Sequence, residues 1–415
     1  MLSKLVFKNT FLFLVLLIFS CGNSVKKVEN PEKMKEKREK KKESLDSSFD
    51  VSFENIKTGA DAYEKYLPLL KDKKIGVVTN QTGILFNNIH LVDFLLSKKI
   101  GIQKIFAPEH GFRGTADAGE TIKDGKDIKT GLPIVSLYGN NKKPKPEQLK
   151  EIDILVFDLQ DVGARFYTYI STLHYVMEAC AENNVKLIVL DRPNPNGGIV
   201  DGPVLEEAYH SFVGMHKIPL LHGMTIGEYA QMINGENWLS NSIQCELTVI
   251  PCENYKRTML YDLPVKPSPN LPNAQAINLY ASLCLFEGTN ISVGRGTEKQ
   301  FQIYGSPYLP KNKFSFTPKP NEGAKDPLYN GKICYGEDLT QVRKVTQLEL
   351  KWLLKAYDET SDKSTFFNTF FTKLAGTKKL QVQIEKGVSE SEIRASWKEG
   401  LDWFKNMRKK YLIYE

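Results

Sequence analysis

Short apolar segments alternate with amphipathic segments over residues 74–190, and this alternation limits the folds that the chain can adopt. Strands are predicted at 74–79, 102–107, 132–137, 154–157 and 186–190, where apolar and β-branched residues are concentrated. Helices are predicted at 90–98 and 168–183, where apolar residues recur at helical spacing. Strands that alternate with helices form a parallel sheet covered on both faces. The sequence therefore predicts an α/β fold that begins with a Rossmann-like parallel-sheet domain.

The pattern changes in the second half of the chain. Further helices are predicted at 225–232, 348–356, 366–374 and 390–409, with one more strand at 247–250. Four prolines fall within 264–272, which predicts a rigid and extended connection. We therefore expect the Rossmann-like domain at 51–264 and a smaller α+β domain at 265–415 that closes a cleft.

The first 50 residues predict export and attachment to a membrane. Lys4 and Lys8 precede an apolar run at 11–19 that is too short for a good membrane span, so residues 1–20 are predicted to be a signal peptide. Cys21 stands where lipoproteins are cleaved and acylated; the alternative is an ordinary secretory signal in which this Cys is incidental. Residues 21–50 are rich in Lys and Glu and predict a disordered spacer. We expect a lipid-anchored protein of the cell envelope, and Gly22 favours the periplasmic face of an outer membrane.

Charge and motifs exclude several classes of function. The formal net charge is +7, but the first 43 residues hold 11 of the 56 basic and 5 of the 49 acidic side chains. The remaining chain is close to neutral, which argues against nucleic-acid binding. It contains no dinucleotide-binding or P-loop glycine motif and no nucleophile elbow, so no cofactor is predicted. His110, Asp117, His216 and His222 do not show metal-ligand spacing, and no metal is predicted.

Polar side chains follow three of the predicted strands, directly after each strand ends. This set comprises Glu109, His110 and Arg113 after the second strand, Asp158, Asp161 and Arg165 after the fourth, and Asp191 and Asn194 after the fifth. The carboxyl ends of parallel strands meet at one edge of a sheet, where ligands bind in open α/β folds. We therefore expect these side chains to form one site.

The residue types in this set suit the hydrolysis of a glycosidic bond. Such a reaction needs a carboxylic acid to protonate the leaving oxygen and a second group that activates water or attacks the sugar carbon. Glu109 is the predicted proton donor, because its apolar neighbours Ala107 and Pro108 favour partial burial. The second group stays open between Asp158, Asp161 and the pair Tyr167 and Tyr169.

Other polar groups predict binding of an anionic substrate. Guanidinium groups bind a carboxylate through two hydrogen bonds, and the candidate arginines are Arg113, Arg165 and Arg295. Arg295 lies in a Gly-rich segment at 286–298 that predicts a ligand-facing loop. The predicted catalytic residues are Glu109, Asp161, Tyr167 and Tyr169. The predicted substrate-binding residues are Asn80, His110, Arg113, Asp158, Arg165, Asp191, Asn194, Glu287, Arg295 and Glu298.

Several long motifs resemble those of the NamZ-type exo-β-N-acetylmuramidase family. They stand at 76–83, 108–114, 158–169, 191–195, 202–203, 268–272, 286–290 and 294–298, and the resemblance covers residues 55–415. It implies a Rossmann-like domain followed by a smaller mixed domain. It also implies removal of single N-acetylmuramic acid units from the non-reducing ends of peptidoglycan fragments during cell-wall turnover and recycling.

The resemblance also implies a catalytic Glu and a catalytic Tyr. We assign them to Glu109 and to Tyr169 or Tyr167. Since N-acetylmuramic acid carries a lactyl carboxylate, an arginine in the cleft has a chemical reason to be there. Two other functions stay open: a non-catalytic envelope lipoprotein that binds muropeptides, and a metal-dependent esterase or amidase that acts on peptidoglycan.

Overall fold

The computed structural model describes residues 56–113, 124–311 and 313–415. The predicted signal peptide, Cys21, the predicted spacer and Asp117 lie outside these ranges. The described residues cluster into one compact unit. No helix in the described ranges combines the length and the apolar character that spanning a membrane requires.

A seven-stranded sheet forms the centre of the described chain, in the order β3-β4-β2-β1-β5-β6-β7. The strands are β1 (Lys74–Thr79), β2 (Gly101–Ala107), β3 (Gly125–Lys126), β4 (Pro133–Ser136), β5 (Ile154–Asp158), β6 (Lys186–Leu190) and β7 (Leu247–Ile250). All neighbours are parallel except the short β3, which runs antiparallel to β4. The predicted α/β class and the five predicted strands are confirmed.

Both faces of this sheet are covered, because side chains alternate between the two sides of each strand. In β5, Ile154 and Val156 belong to one apolar cluster, whereas Leu155 and Phe157 belong to the other. The first face carries α1 (Tyr63–Leu70) and α2 (Leu91–Ser97), and the second carries α4 (Tyr169–Glu182) and α5 (Ile226–Gly235); α3 (Pro146–Leu149) precedes β5. Burial on both sides explains why these strands are almost continuously apolar.

The chain after β7 adds a small sheet and further helices. The antiparallel strands β8 (Ile303–Ser306), β9 (Ser315–Phe316) and β10 (Cys334–Asp338) pair in the order β8-β10-β9. The helices are α6 (Ala274–Leu283), α7 (Lys351–Glu359), α8 (Phe371–Ala375), α9 (Lys379–Glu385) and α10 (Glu390–Arg408). Their side chains share an apolar cluster with the second face of the large sheet. The boundary predicted at residue 264 stays a prediction.

The helix predicted at 366–374 is mostly absent, since α8 begins only at Phe371. The reason is a local polar contact: the side chain of Asn368 accepts a hydrogen bond from the main-chain nitrogen of Phe370 at 2.8 Å. The main-chain nitrogen of Asn368 donates to the carbonyl of Gly288. A side chain that binds the backbone in this way competes with helix formation.

The topology determines where a site can form. The chain leaves β1 for β2 on one side and later returns to place β5 on the other side of β1. In open α/β sheets, such a reversal leaves a crevice beyond the carboxyl ends of the two strands. Asn80 follows β1 and Glu109 follows β2, so both lie at this edge.

Candidate active site

A cavity of about 460 Å³ lies beyond this edge of the sheet. Its wall combines residues that follow β2 and β4, residues at the start of α4, and residues from the second half of the chain. Six of the predicted site residues line this cavity: Glu109, His110, Tyr167, Tyr169, Glu287 and Arg295. This volume falls within the about 300–1,000 Å³ that is typical of small-molecule sites.

The Glu109 carboxyl is held by two hydroxyl groups. Thr168 donates to Oε2 of Glu109 at 2.6 Å, and the Tyr138 hydroxyl is also hydrogen-bonded to this carboxyl. Thr168 occupies the N-cap position of α4, but its side chain does not cap the helix; its hydroxyl donates to Glu109. Glu109 itself is only partly buried and faces the cavity. The fold thus orients one carboxyl toward the cavity.

Tyr138 is a site residue that the sequence analysis missed. Burial and the neighbouring Glu109 carboxylate raise the pKa of Tyr138 well above its ordinary value, so its hydroxyl keeps its proton. The side chain is partly exposed and lines the cavity. A signal was available, because Tyr138 follows the strand predicted at 132–137 just as Glu109 follows the strand before it.

Tyr167 and Tyr169 line the cavity but are committed to other partners. The Tyr167 hydroxyl donates to the carbonyl of Pro267 at 2.7 Å, and the Tyr169 hydroxyl accepts from Nδ2 of Asn80 at 2.6 Å. The two rings meet edge to face, 4.8 Å apart, and burial raises the pKa of both hydroxyls. Asn80 is fully buried, lies outside the cavity wall and reaches the site only through this hydrogen bond to Tyr169. It is therefore a positioning residue.

Arg295 enters the cavity from the Gly-rich loop and is held at one end. Its Nε donates to Oε1 of Glu287 at 2.5 Å, and its guanidinium lies 5.0 Å from the centre of the Phe301 ring. In the described part of the chain, no acceptor meets either terminal nitrogen, and Nη1 is buried without a partner. Burial opposes the charge, but Glu287 outweighs it and raises the pKa of Arg295 above its ordinary value. Arg295 therefore offers unused hydrogen bonds to an anion.

Arg165 does not bind substrate, which corrects the sequence-based assignment. Its side chain is fully buried outside the cavity wall, and burial lowers the pKa of this arginine to about 9. The guanidinium donates to four main-chain carbonyls, those of Pro203, Ile218, Leu374 and Ala375. It ties the loop after β5 to the helices of the second half, so its role is structural.

The other carboxylates at the strand ends are also structural. Asp158 is fully buried and binds Arg192 through both oxygens, at 2.6 and 3.0 Å. Asp161 is buried outside the cavity wall, where Oδ2 accepts from the nitrogen of Gly163 at 2.7 Å. These positions correct their assignment as catalytic or substrate-binding groups, since neither reaches the cavity.

Asp191 and Asn194 lie deeper in the same region and do not reach the cavity either. Asp191 accepts hydrogen bonds from the hydroxyls of Thr225 and Tyr414, at 2.7 and 2.6 Å. The Asn194 amide donates to the carbonyl of Met224 at 2.9 Å and accepts from the nitrogen of Asn196 at 2.8 Å. Both therefore hold loops together, which corrects their assignment to substrate.

Two further predicted substrate-binding residues, Arg113 and Glu298, do not line this cavity. Arg113 lies outside the described wall of the cavity and forms an ion pair with Asp127 at 2.5 Å, so its assignment to a substrate carboxylate stays a prediction. Glu298 lies in the wall of a second, neighbouring cavity. His110 lines the first cavity in a left-handed conformation, with φ of 71°.

The histidines considered as metal ligands serve as hydrogen-bond partners. His216 bonds to the Tyr229 hydroxyl at 2.8 Å and to His174 at 3.0 Å, and His222 accepts from the nitrogen of Met224. Across residues 56–113, 124–311 and 313–415, no three His, Cys, Asp or Glu side chains are gathered so as to hold a metal ion.

Similarity to known proteins covers almost all of the described chain. Family models for the N-terminal and C-terminal parts of exo-β-N-acetylmuramidase NamZ match residues 75–275 and 278–414. The peptidoglycan β-N-acetylmuramidase NamZ of Bacillus subtilis (strain 168) is 41% identical over 388 residues, which cover 86% of this chain and 91% of that protein.

Two solved structures share the fold. Both are crystal structures of DUF1343 family proteins from Bacteroides fragilis NCTC 9343, and each covers 87% of this chain and 99% of its own. One superposes with a TM-score of 0.80 at 45% identity, and the other with 0.74 at 31% identity. Since the family models span both halves of the chain, this protein belongs to the exo-β-N-acetylmuramidase NamZ family.

Proposed function

We propose that this protein is an exo-acting β-1,4-N-acetylmuramidase that releases N-acetylmuramic acid from the non-reducing end of peptidoglycan fragments, in cell-wall turnover and recycling. The carrying observation is the Glu109 carboxyl, oriented by Thr168 and Tyr138 in the wall of a cavity of about 460 Å³. The relative from Bacillus subtilis is a peptidoglycan β-N-acetylmuramidase, which supports the same reaction here.

Glu109 acts as the general acid in this proposal. Hydrolysis breaks the bond between C1 of the muramic acid and the oxygen of the next sugar, and that oxygen needs a proton as it leaves with the bonding electrons. The proton comes from Glu109, and a water molecule supplies the hydroxyl group that joins C1. The proton that this water gives up restores the Glu109 carboxyl by way of solvent, so that the enzyme returns to its starting state. Thr168 and Tyr138 then stabilise the carboxylate that remains, because each donates a hydrogen bond to it.

Tyr138→Phe should lower kcat about 10- to 100-fold with little change in KM, because it removes a hydrogen bond that strengthens as Glu109 becomes charged. Steady-state kinetics on a chromogenic N-acetylmuramic acid glycoside measures both constants. Tyr167→Phe is the matched comparison, since that hydroxyl donates to the main chain of Pro267. A larger loss of kcat in Tyr167→Phe than in Tyr138→Phe would contradict this choice of tyrosine.

Arg295 recognises the lactyl carboxylate of the substrate in this proposal. Glu287 holds the guanidinium through Nε, so the two terminal nitrogens are left to pair with an anion in the cavity. Guanidinium and carboxylate form such paired hydrogen bonds, and these are strong where water is excluded. N-acetylglucosamine lacks this carboxylate, so Arg295 distinguishes the two sugars of peptidoglycan.

Arg295→Gln should weaken inhibition by free N-acetylmuramic acid about 10- to 100-fold, because a charged hydrogen-bond pair is lost. Inhibition by free N-acetylglucosamine should stay the same. Inhibition constants for both sugars measure the difference, and Arg343→Gln is the control, since Arg343 is exposed and lies outside the cavity wall. An equal loss for both sugars would show that Arg295 supports the cavity without reading the carboxylate.

The activity itself is tested with a disaccharide of N-acetylmuramic acid and N-acetylglucosamine, free of peptide. We expect mass spectrometry to detect the two monosaccharides, and longer fragments to lose one N-acetylmuramic acid from the non-reducing end. Tight binding without product would instead support a muropeptide-binding protein. Loss of activity on addition of a chelator would support a metal-dependent hydrolase.

We propose further that lipid on Cys21 anchors the enzyme in the cell envelope, on the periplasmic face of an outer membrane. This proposal rests on the signal-like sequence before Cys21 and on the Gly that follows it. Cells grown with an alkyne-labelled fatty acid should yield labelled protein, and Cys21→Ala should remove the label. Label that persists in Cys21→Ala would rule out this attachment point.

A further inference from the structure

A second cavity, of about 400 Å³, lies beside the active-site cavity. Ser268 lines both cavities. Asn270 lines the first cavity and donates a hydrogen bond at 2.6 Å to the carbonyl of Gly323, which lines the second. The two cavities therefore lie on either side of the short segment 268–270.

Gln300 lies in the wall of this second cavity, and its buried side-chain amide forms no hydrogen bond within the described chain. The residue is 7% exposed. Within the described ranges, neither end of its side-chain amide meets a hydrogen-bond partner, and Oε1 is buried. The same wall contains Oε1 of Gln81 and Oδ1 of Asn321, which are also buried and unpaired, whereas the side-chain nitrogens of both residues donate to main-chain carbonyls. Buried polar groups in native proteins are almost always paired, so these three oxygens indicate a missing hydrogen-bond donor.

Charged groups in the same wall are also unused. Glu298, Glu322 and Lys266 line the second cavity. No ion pair or side-chain hydrogen bond is formed by any of these three within the part of the chain that the structure describes. The wall therefore offers two carboxylates as acceptors and one ammonium as a donor. The Gln300 amide can donate and accept, and the amide oxygens of Gln81 and Asn321 can accept.

One loop supplies both cavities. Arg295 faces the first cavity, whereas Glu298 and Gln300 face the second. Gly296 has φ of 78°, and a Cβ there would lie 2.6 Å from the carbonyl of Lys319, so only glycine fits this turn. The same backbone conformation thus determines where the carboxylate-binding arginine and the second set of polar groups stand.

We propose that the second cavity binds the sugar on the reducing side of the cleaved bond, an uncharged N-acetylhexosamine such as N-acetylglucosamine. The proposal rests on the function proposed above. An exo-acting enzyme holds a single sugar on the non-reducing side, so the rest of the glycan extends into a neighbouring site. Sugar hydroxyls donate and accept hydrogen bonds, which matches the mixed wall of Glu322, Lys266 and Gln300.

The test compares two substrates that differ in this sugar alone. One is the peptide-free disaccharide of N-acetylmuramic acid and N-acetylglucosamine, and the other is a nitrophenyl glycoside of N-acetylmuramic acid. In Gln300→Leu and in Glu322→Ala, the ratio of kcat/KM for the disaccharide to that for the nitrophenyl glycoside should fall about tenfold relative to the parent. Gln300→Leu removes no hydrogen bond within the protein, and Glu322 is exposed, so both variants should fold.

Glu147→Ala is the matched control, because Glu147 is an exposed carboxylate outside both cavities and should leave the ratio unchanged. Equal losses on both substrates in the two cavity variants would overturn the proposal, since the residues would then act through the first cavity. A loss seen only with peptide-bearing fragments would also overturn it, in favour of a peptide site. If the parent protein cleaves neither substrate, the proposed muramidase function itself is wrong. That result differs from active variants with an unchanged ratio, which would contradict only the proposed sugar site.

Discussion

Glu109→Gln should lower kcat for the peptide-free disaccharide about 10²- to 10⁴-fold, the usual contribution of a general acid. The amide has the same shape as the carboxyl and can still accept the Thr168 hydrogen bond, but it has no proton to give. The loss should be much smaller for a dinitrophenyl glycoside of N-acetylmuramic acid, because that leaving group departs without protonation. Steady-state kinetics on both substrates makes the comparison.

The two substrates separate the role of an acid from other roles. Unfolding of Glu109→Gln should match the parent, since Glu109 is only partly buried and Glu→Gln keeps its volume. An equal loss of kcat on both substrates would mean that Glu109 acts as a nucleophile or base rather than as the acid. Full activity of the variant on the disaccharide would remove Glu109 from the mechanism.

Asp158→Ala should lower the free energy of unfolding by about 3–5 kcal/mol, the cost of leaving one partner of a buried ion pair alone. Asp158 and Arg192 are 0% and 2% exposed, and two hydrogen bonds join them. Arg192 also donates to the carbonyl of Ile84, so the pair ties β5 to the loop after β1. Urea unfolding followed by circular dichroism measures the loss.

Glu246→Ala serves as the control for this stability measurement. Its partner Lys186 lies 2.7 Å away, but both side chains are more than half exposed, so the loss should stay below about 1 kcal/mol. At a temperature where Asp158→Ala remains folded, its KM should equal that of the parent. A raised KM with little loss of stability would show instead that Asp158 contributes to substrate binding.

Most of the fold could be predicted from the sequence because its signals are local. A strand buried on both faces is apolar at almost every position, so β1, β2, β5 and β6 stand out in the sequence. The small antiparallel sheet and α6 were missed. β9 is only two residues long, and α6 begins at the side-chain cap of Asn273, directly after the proline-rich segment.

The site could be predicted only in part, because the same residue types serve both chemistry and architecture. Arg165 stands two residues after a glycine and Arg295 directly after one, so the two look alike in sequence. Arg165 turns inward to four carbonyls, whereas Arg295 keeps its terminal nitrogens unused at the cavity. Distinguishing them requires the positions of Pro203, Ile218 and Leu374, which are distant in sequence.

The amino-acid sequence by itself determined the α/β class and the edge of the sheet where the cavity forms, and it predicted Glu109 as a residue of the site. These follow from short-range patterns: apolar runs, the residues directly after them, and motifs shared with a family. Tertiary structure alone decided which polar groups face the cavity, that Tyr138 and Thr168 hold Glu109, and that a second polar cavity adjoins the first. The physical reason is that burial and pairing depend on partners that are distant in sequence, such as Ala375, which accepts from Arg165 across 210 residues, and no local pattern encodes such contacts.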